Sequence, residues 1–376
     1  MILTLALRNL MHDRVRFLVT LTGIVFAVVL VTLQCGFFLG FITTISGVID
    51  NSKADIWVAS KGVKTFDIAM PMPESRHYEV MSVPGVETAS RMVVDFAFWK
   101  RPDGGQESIE IIAFDTHKDM GGPWNLLDTD INCLSLEDAV IMDQLYLEKL
   151  GITSLGQEVE IISSRARVMG FSRGIRSFTT SPYIFTDYRN GHRYSRFNPS
   201  QITYVLVRVA EGHQVKDVCA AINKQVANVD AFTTEEFSSL TRKYWMLSTG
   251  AGAALMLTAI LGFVVGMIIV AQTLYATTMD HLQEFATLKA MGAPDSYVNR
   301  VLLVQACLSA VLGYTLGIGI CYALIESQRY SDAAISVPLG WGLSIFLVTI
   351  CMCIGASFIS IRKIMRIDPA VVFRGR

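Results

Sequence analysis

The chain has 376 residues, of which 52% are hydrophobic and 17% charged, with a net charge of −1 and a mean hydropathy of +0.42. Soluble domains carry about 25% charged residues, so a membrane protein is expected. The near-neutral balance, with no Lys/Arg block, argues against nucleic acid as a partner.

In chain order, Leu3, Ala6, Leu7, Leu10 and Met11 fall on one helical face, with Arg8, His12 and Asp13 elsewhere. That pattern predicts an amphipathic helix in the membrane interface. A first apolar stretch, 17–45, is too long for a signal peptide, and no small-x-small cleavage site follows it. Three further stretches lie near 244–275, 297–325 and 338–361. Each exceeds the ~20 residues needed to cross a bilayer. The chain then divides into 1–50 (amphipathic helix and first span), 51–233 (a large polar domain) and 234–376 (stalk, spans two to four and C-terminal tail).

Arg8, Arg14 and Arg16 precede the first span, and Arg362, Lys363, Arg366, Arg374 and Arg376 follow the fourth. The loop between spans three and four offers only Arg329. Both termini are therefore expected in the cytoplasm and the large domain outside it.

Within 51–233 the pattern predicts a strand at 56–59 and a helix at 74–82. A hairpin of 86–99 and 107–114 folds around Pro102-Asp103-Gly104-Gly105. Next come a helix at 140–150, strands at 158–162 and 167–170, a strand at 202–209 and a helix at 215–226. The fold class is thus an α-helical membrane protein with four transmembrane helices and an α+β extracytoplasmic domain, itself carrying an inserted subdomain, between helices 1 and 2. The segment 172–194 is rich in Arg, aromatics, Ser and Thr. It reads either as a solvated surface loop or as a mobile functional one. Arg173, Arg176, Phe178 and Tyr183 are its candidate contact residues, because Arg and aromatic residues are enriched at interface hot spots. Cys133 and Cys219 are the two cysteines of the polar middle, either free or paired in a disulfide.

Thr233-Thr234-Glu235-Glu236 reads as a helix start. Phe237, Leu240, Tyr244 and Leu247 then keep helical spacing, predicting a stalk continuous with the second span. Arg242, Lys243, Tyr244 and Trp245 look like an interface belt.

Asp280, Glu284 and Lys289 cannot sit in hydrocarbon, so 280–292 must lie in water between two spans. Thr278 or Asp280 can cap a helix there, and Gly292-Ala293-Pro294 can end it. Leu282, Phe285, Leu288 and Met291 form one apolar stripe. A short helix clamped between spans, with a greasy stripe and acidic first turns, is shaped to be gripped by another protein.

No G-x4-G-K-[ST] phosphate loop, H-E-x-x-H or G-x-S-x-G is present, and the six histidines are scattered. No catalytic or metal residue is expected. The spans hold Gln34, Gln272 and Gln305 but almost no charge, which argues against an ion-coupled carrier. Gly36/Gly40, Gly262/Gly266 and Gly313/Gly317 would let helices approach closely, and a symmetric dimer is the expected assembly.

Three stretches carry a family resemblance: EFATLKAMG at 284–292, the ending IRKIMRIDPAVVFRGR with its Asp368-Pro369, and the arrangement of one span, a large domain and three more spans. Together they resemble the MacB/FtsX-type ABC transporter permeases. The longer run QTLYATTMDHLQEFATLKAMGAPDSY is similar to the DevC-type branch, permeases of glycolipid-type exporters. The resemblance implies a coupling helix at 280–292 that docks on an ATPase, with Asp280, Leu282, Glu284, Phe285, Leu288, Lys289, Met291 and Gly292 at the contact and Asp368 and Pro369 matching the family ending. It implies no cofactor in this chain, with ATP and Mg bound by two copies of a cytoplasmic ABC ATPase. The further partners would be a second copy of the chain, a periplasmic membrane-fusion adaptor, a TolC-like outer-membrane channel and the lipid of a bacterial inner membrane. The implied function is an export permease of the mechanotransmission type. Alternatives within the resemblance are an FtsX-like signal transmitter controlling a periplasmic cell-wall hydrolase and a lipoprotein-release permease.

Overall fold

Helix α1 (Arg14–Ile45) opens the described chain and is apolar on every side, as expected of a helix surrounded by hydrocarbon or protein. The structure is a computed structural model and describes residues 14–280, 283–284, 287, 291–327 and 339–364. The predicted amphipathic helix before residue 14 lies outside them. The described residues form two compact units. One belongs to Met1–Gly40, Ala253–Arg329 and Ile335–Arg376, and the other is Phe41–Gly252.

The second unit is wider than the predicted 51–233. It starts with the last residues of α1 and the single turn α2 (Gly47–Asp50). Turns then cut the chain into β1 (Ile56–Ser60), β2 (Met72–Pro73), α3 (Ser75–Met81), β3 (Val86–Lys100), β4 (Gln106–Phe114), β5 (Leu126–Leu127) and β6 (Ala139–Asp143). After α4 (Leu147–Leu150) follow β7 (Glu158–Ile161), β8 (Ser164–Ser172), β9 (Tyr183–Asp187), α5 (Tyr188–Tyr194), β10 (Gln201–Ile202) and β11 (Tyr204–Val209). The unit continues through α6 (Val215–Gln225), β12 (Val229–Thr233) and α7 (Thr234–Lys243).

Ten strands make one sheet in the order β12-β1-β11-β3-β4-β9-β6-β8-β5, with β7 pairing both β3 and β8. Those last pairings close a ring, β3–β4–β9–β6–β8–β7. All six ring strands send residues into one core, including Trp99, Ile111, Ile184, Met142, Val168 and Ile161. The fold is thus a small closed barrel that shares β3 with an open four-stranded sheet, and closure removes the exposed edges. Alternate residues face a second core on the other side of the sheet: Ile56 and Val58 of β1 enter the first, Trp57 and Ala59 the second. The second core stacks Trp57 against Phe66, Tyr204 and Phe237 at ring distances of 5.8, 5.4 and 5.5 Å.

Three expectations need correction here. Residues 140–150 are not one helix: the buried run Ala139–Asp143 is a central strand between β8 and β9, and a tight turn leads into α4. An apolar run covered on both faces has no polar side, so its period cannot tell strand from helix. The segment 172–194 is not a loop throughout, because Tyr183–Asp187 pairs with β4 and β6, and Asp187 caps α5 through the Arg189 N–H at 2.9 Å. Cys133 and Cys219 are free thiols that pack against different cores, so no disulfide joins them within the chain.

The first unit holds α1 with α8 (Ala251–Asp280), α9 (Asp295–Ser327) and α10 (Leu339–Ile364). Among the described residues, four stretches are long and apolar enough to cross a membrane: Phe17–Ile45, Ala251–Thr273, Asn299–Ser327 and Gly340–Phe358. Ile24, Ala27 and Val28 of α1 pack against Val270, Ala306, Ala310 and Met352. Thr273, Thr315, Thr349 and Ser357 return their hydroxyls to carbonyls four residues back, which satisfies them where water is absent.

Candidate functional site

The coupling segment begins where α8 ends at Asp280. Glu284 and Thr287 are helical and exposed, and Met291 is exposed one turn on. The Thr287 hydroxyl donates to the Gln283 carbonyl at 2.8 Å, and the Met291 N–H donates to the Thr287 carbonyl at 3.0 Å. The described residues 283, 284 and 287 of this segment are thus helical. Gly292, at φ +92°, ends it before α9 starts at Asp295. Leu282, Phe285, Leu288 and Lys289 lie outside the described residues, as do Asp368 and Pro369. The side chain of Asp280 is likewise not described.

Helix α7 starts with a full capping box: the Thr233 hydroxyl accepts from the Glu236 N–H at 3.2 Å, and Glu236 accepts from the Thr233 N–H at 2.9 Å. The stalk residues divide. Phe237 is fully buried in the second core and Leu240 packs against it, whereas Tyr244 is half-buried and Leu247 exposed. The predicted continuity with the second span fails. A π turn occupies Tyr244–Ser248, Gly250 adopts φ +76°, and α8 starts afresh at Ala251. A left-handed residue cannot propagate a right-handed helix, and glycine takes that conformation most readily.

The predicted interface belt also resolves differently. Arg242 donates to Ser46 Oγ and Asp50 Oδ2, both at 2.7 Å. Trp245 Nε1 donates to Thr65 Oγ1 at 2.9 Å and Asp67 Oδ2 at 3.1 Å. Its ring stands edge-on to Phe178 at 4.6 Å, and Phe178 stands edge-on to Phe41 at 6.0 Å. The residues just before Gly250 are thereby fastened to the domain.

Among the adaptor and cargo candidates, Arg173 is exposed, Arg176 is half-buried and Phe178 is engaged as described. Tyr183 is buried at the start of β9 and cannot be a contact surface. The loop between β8 and β9 is tied down: Asp143 Oδ2 accepts from the Ser172 hydroxyl and the Ile175 N–H, and Tyr146 Oη accepts from the Ser177 N–H. Sequence reasoning missed Asp67 and Glu110 and placed Trp245 in a membrane belt, whereas its partners Thr65 and Asp67 lie about 180 residues away. Glu110 on β4 is fully buried, and neither carboxylate oxygen has a hydrogen-bond partner. Burial, then the charges of Asp67 and Asp95, hold its carboxyl well above the usual range.

The geometry defines a class: a membrane protein of four spanning helices with an α+β domain inserted between the first and second. A family model of the MacB-like periplasmic core domain matches residues 17–225, and one of the FtsX-like permease C-terminal region matches residues 256–369. The chain belongs to this MacB/FtsX family of ABC transporter permeases. An uncharacterized ABC transporter permease of Mycobacterium tuberculosis is 23% identical over 378 residues, spanning 98% of this chain and 99% of the relative. A Pseudomonas fluorescens protein named probable export ATP-binding/permease protein is 24% identical over 233 residues, spanning 58% of this chain and 35% of its own length. The crystal structure of the periplasmic region of MacB from Actinobacillus actinomycetemcomitans aligns over 52% of this chain and 96% of its own, at 9% identity and a TM-score of 0.37.

Proposed function

We propose that this chain is the permease subunit of an ATP-binding cassette export complex that works by mechanotransmission. Two copies would sit in a bacterial inner membrane with both termini in the cytoplasm, together with two copies of a separate ATPase that binds ATP and Mg. The inserted domain would handle lipid, glycolipid, peptide or drug cargo outside the bilayer and pass it to a membrane-fusion adaptor and a TolC-like channel. One observation carries the reading: the spans share an apolar core of Ile24, Ala27, Val28 and their neighbours, while the inserted domain has two large cores of its own. Membrane sites for ions or polar substrates use ionisable groups or broken helices. A permease built this way does its work mainly through the domain.

The test begins at the coupling segment, where the apolar stripe would fill a groove on the ATPase and Glu284 would meet a cation there. Removing one member of a buried charge pair costs about 3–5 kcal/mol, roughly a hundredfold or more in affinity. Glu284→Lys is therefore expected to lose ATPase co-purification and to uncouple ATP hydrolysis from export. Full assembly and transport by this variant would remove the assignment.

For the adaptor, exposed Arg173 replaces the buried Tyr183 as the point to probe. Arg173→Glu is expected to weaken adaptor pull-down about tenfold, as for loss of a hot-spot contact of some 1.4 kcal/mol, without shifting the domain's thermal midpoint. Unchanged pull-down would move the adaptor surface elsewhere.

A further inference from the structure

We propose that Asp67 and Glu110 form a proton-binding site that closes a latch on Trp245 when the surrounding pH falls. The latch is the bonding of the Trp245 indole N–H to Thr65 and Asp67, with Phe178 packed on its ring. It holds the π turn directly before the left-handed Gly250. Such π turns are frequent at functional sites.

Three unpartnered carboxylate oxygens mark the site. Asp67 is almost fully buried and uses Oδ2 for Thr65 and Trp245, while its Oδ1 has no partner. Glu110 is fully buried and both its oxygens lack partners. Buried polar groups left unpaired are costly, and protonation removes the charge that burial penalises most. Tyr183 on β9 and Tyr204 on β11 are the other titratable groups that feel the charges of Asp67 and Glu110, and burial pushes both phenols well up. Asp95 on β3 adds its charge to Glu110. The two phenols are neutral, and Asp95, though paired with Arg196 at 2.7 Å, still disfavours a charge on Glu110.

The sign follows from linkage. Burial, only partly opposed by hydrogen bonds from Trp245 and Thr65, raises the Asp67 carboxyl from 3.8 to about 6 in the closed form. Opening hydrates Asp67 and returns it toward its ordinary value. The closed form therefore binds the proton more tightly and gains as pH falls through about 6. With those two values, closure is favoured about tenfold more at pH 5 than at pH 7.5.

The experiment is amide hydrogen exchange on the full chain in lipid nanodiscs at pH 5 and 7.5, each corrected for intrinsic exchange. Residues 244–250 are expected to exchange about tenfold more slowly at pH 5, with β1 and β4 unchanged. Asp67→Asn should abolish that step. Trp245→Phe, which keeps a ring against Phe178 but removes the N–H, should speed exchange of 244–250 at both pH values. Glu110→Gln, a mimic of the protonated acid, should retain the step. Absence of the step in the unaltered chain, or its persistence in Asp67→Asn, overturns the proposal. If Asp67→Asn instead raises exchange throughout β1 and β4, the domain has unfolded. The Trp245→Phe chain then decides, and an exchange pattern identical to that of the unaltered chain overturns the latch.

Discussion

Replacing Gly313 and Gly317 together by leucine is expected to abolish recovery of folded chain from membranes, while Gly319→Leu is tolerated. A Cβ on Gly313 would stand 2.3 Å from Ile24 Cγ2 and 2.9 Å from its Cβ, and one on Gly317 would stand 2.8 Å from Val28 Cγ1. Ile24 and Val28 are buried in the core of the spanning unit, so neither has room to give way. Position 319 meets nothing within 4 Å. Overpacking costs about 1–3 kcal/mol per site and occasionally more. Two adjacent sites then approach the ~5–15 kcal/mol that separates folded from unfolded protein. Size-exclusion profiles and thermal midpoints in detergent would register the difference. Normal behaviour of the double variant would show that α9 does not approach α1 through these glycines.

The same positions show how far the sequence could be read. Three Gly-x3-Gly pairs were equivalent as patterns, but only partners found in the fold distinguish them. Gly313 and Gly317 meet Ile24 and Val28, while Gly262 and Gly266 meet Gln34 and Ala27. The four spans were legible from length and hydropathy alone, because hydrocarbon imposes one rule on every residue. The hairpin of β3 and β4 was legible from alternation around a Gly-containing turn, and the start of α7 from Thr233 and Glu236. Strand β6 was not, since Ala139–Asp143 is buried on both faces and carries no period. Trp245 was misread because a tryptophan beside Arg242 and Lys243 looks locally like a membrane belt. Its actual partners, Thr65 and Asp67, lie about 180 residues away. The stalk was misread for a related reason: the spacing of Phe237 and Leu240 is the same whether a helix faces a bilayer, a partner or its own domain. The segment 280–292 was legible as polar chain between two spans, since its charged residues cannot lie in hydrocarbon. The described part shows Glu284, Thr287 and Met291 exposed there.

Leu240→Pro is expected to abolish export while leaving ATPase binding intact. Position 240 lies in the interior of α7, where proline removes a backbone hydrogen bond and clashes with the carbonyl four residues back, at a cost of about 3 kcal/mol. The damage would spread in both directions. Toward the N-terminus, Leu240 packs beside Phe237, which stacks on Phe232 at 5.6 Å and faces Trp57 in the second core. Toward the C-terminus, a kink would swing Arg242 away from Ser46 and Asp50, and Trp245 away from Thr65 and Asp67. The Arg242–Asp50 pair is partly exposed and contributes no more than about 1 kcal/mol, so most of the loss is positional. Leu240→Ala separates helix from side chain. It keeps the backbone bonded, costs part of the packing, and should retain most export. The coupling segment lies some forty residues further on, past the break at Gly250 and the whole of α8, so ATPase co-purification should match that of the unaltered chain. Undiminished export by the proline variant would mean that the proposed mechanism needs no rigid element passing through α7.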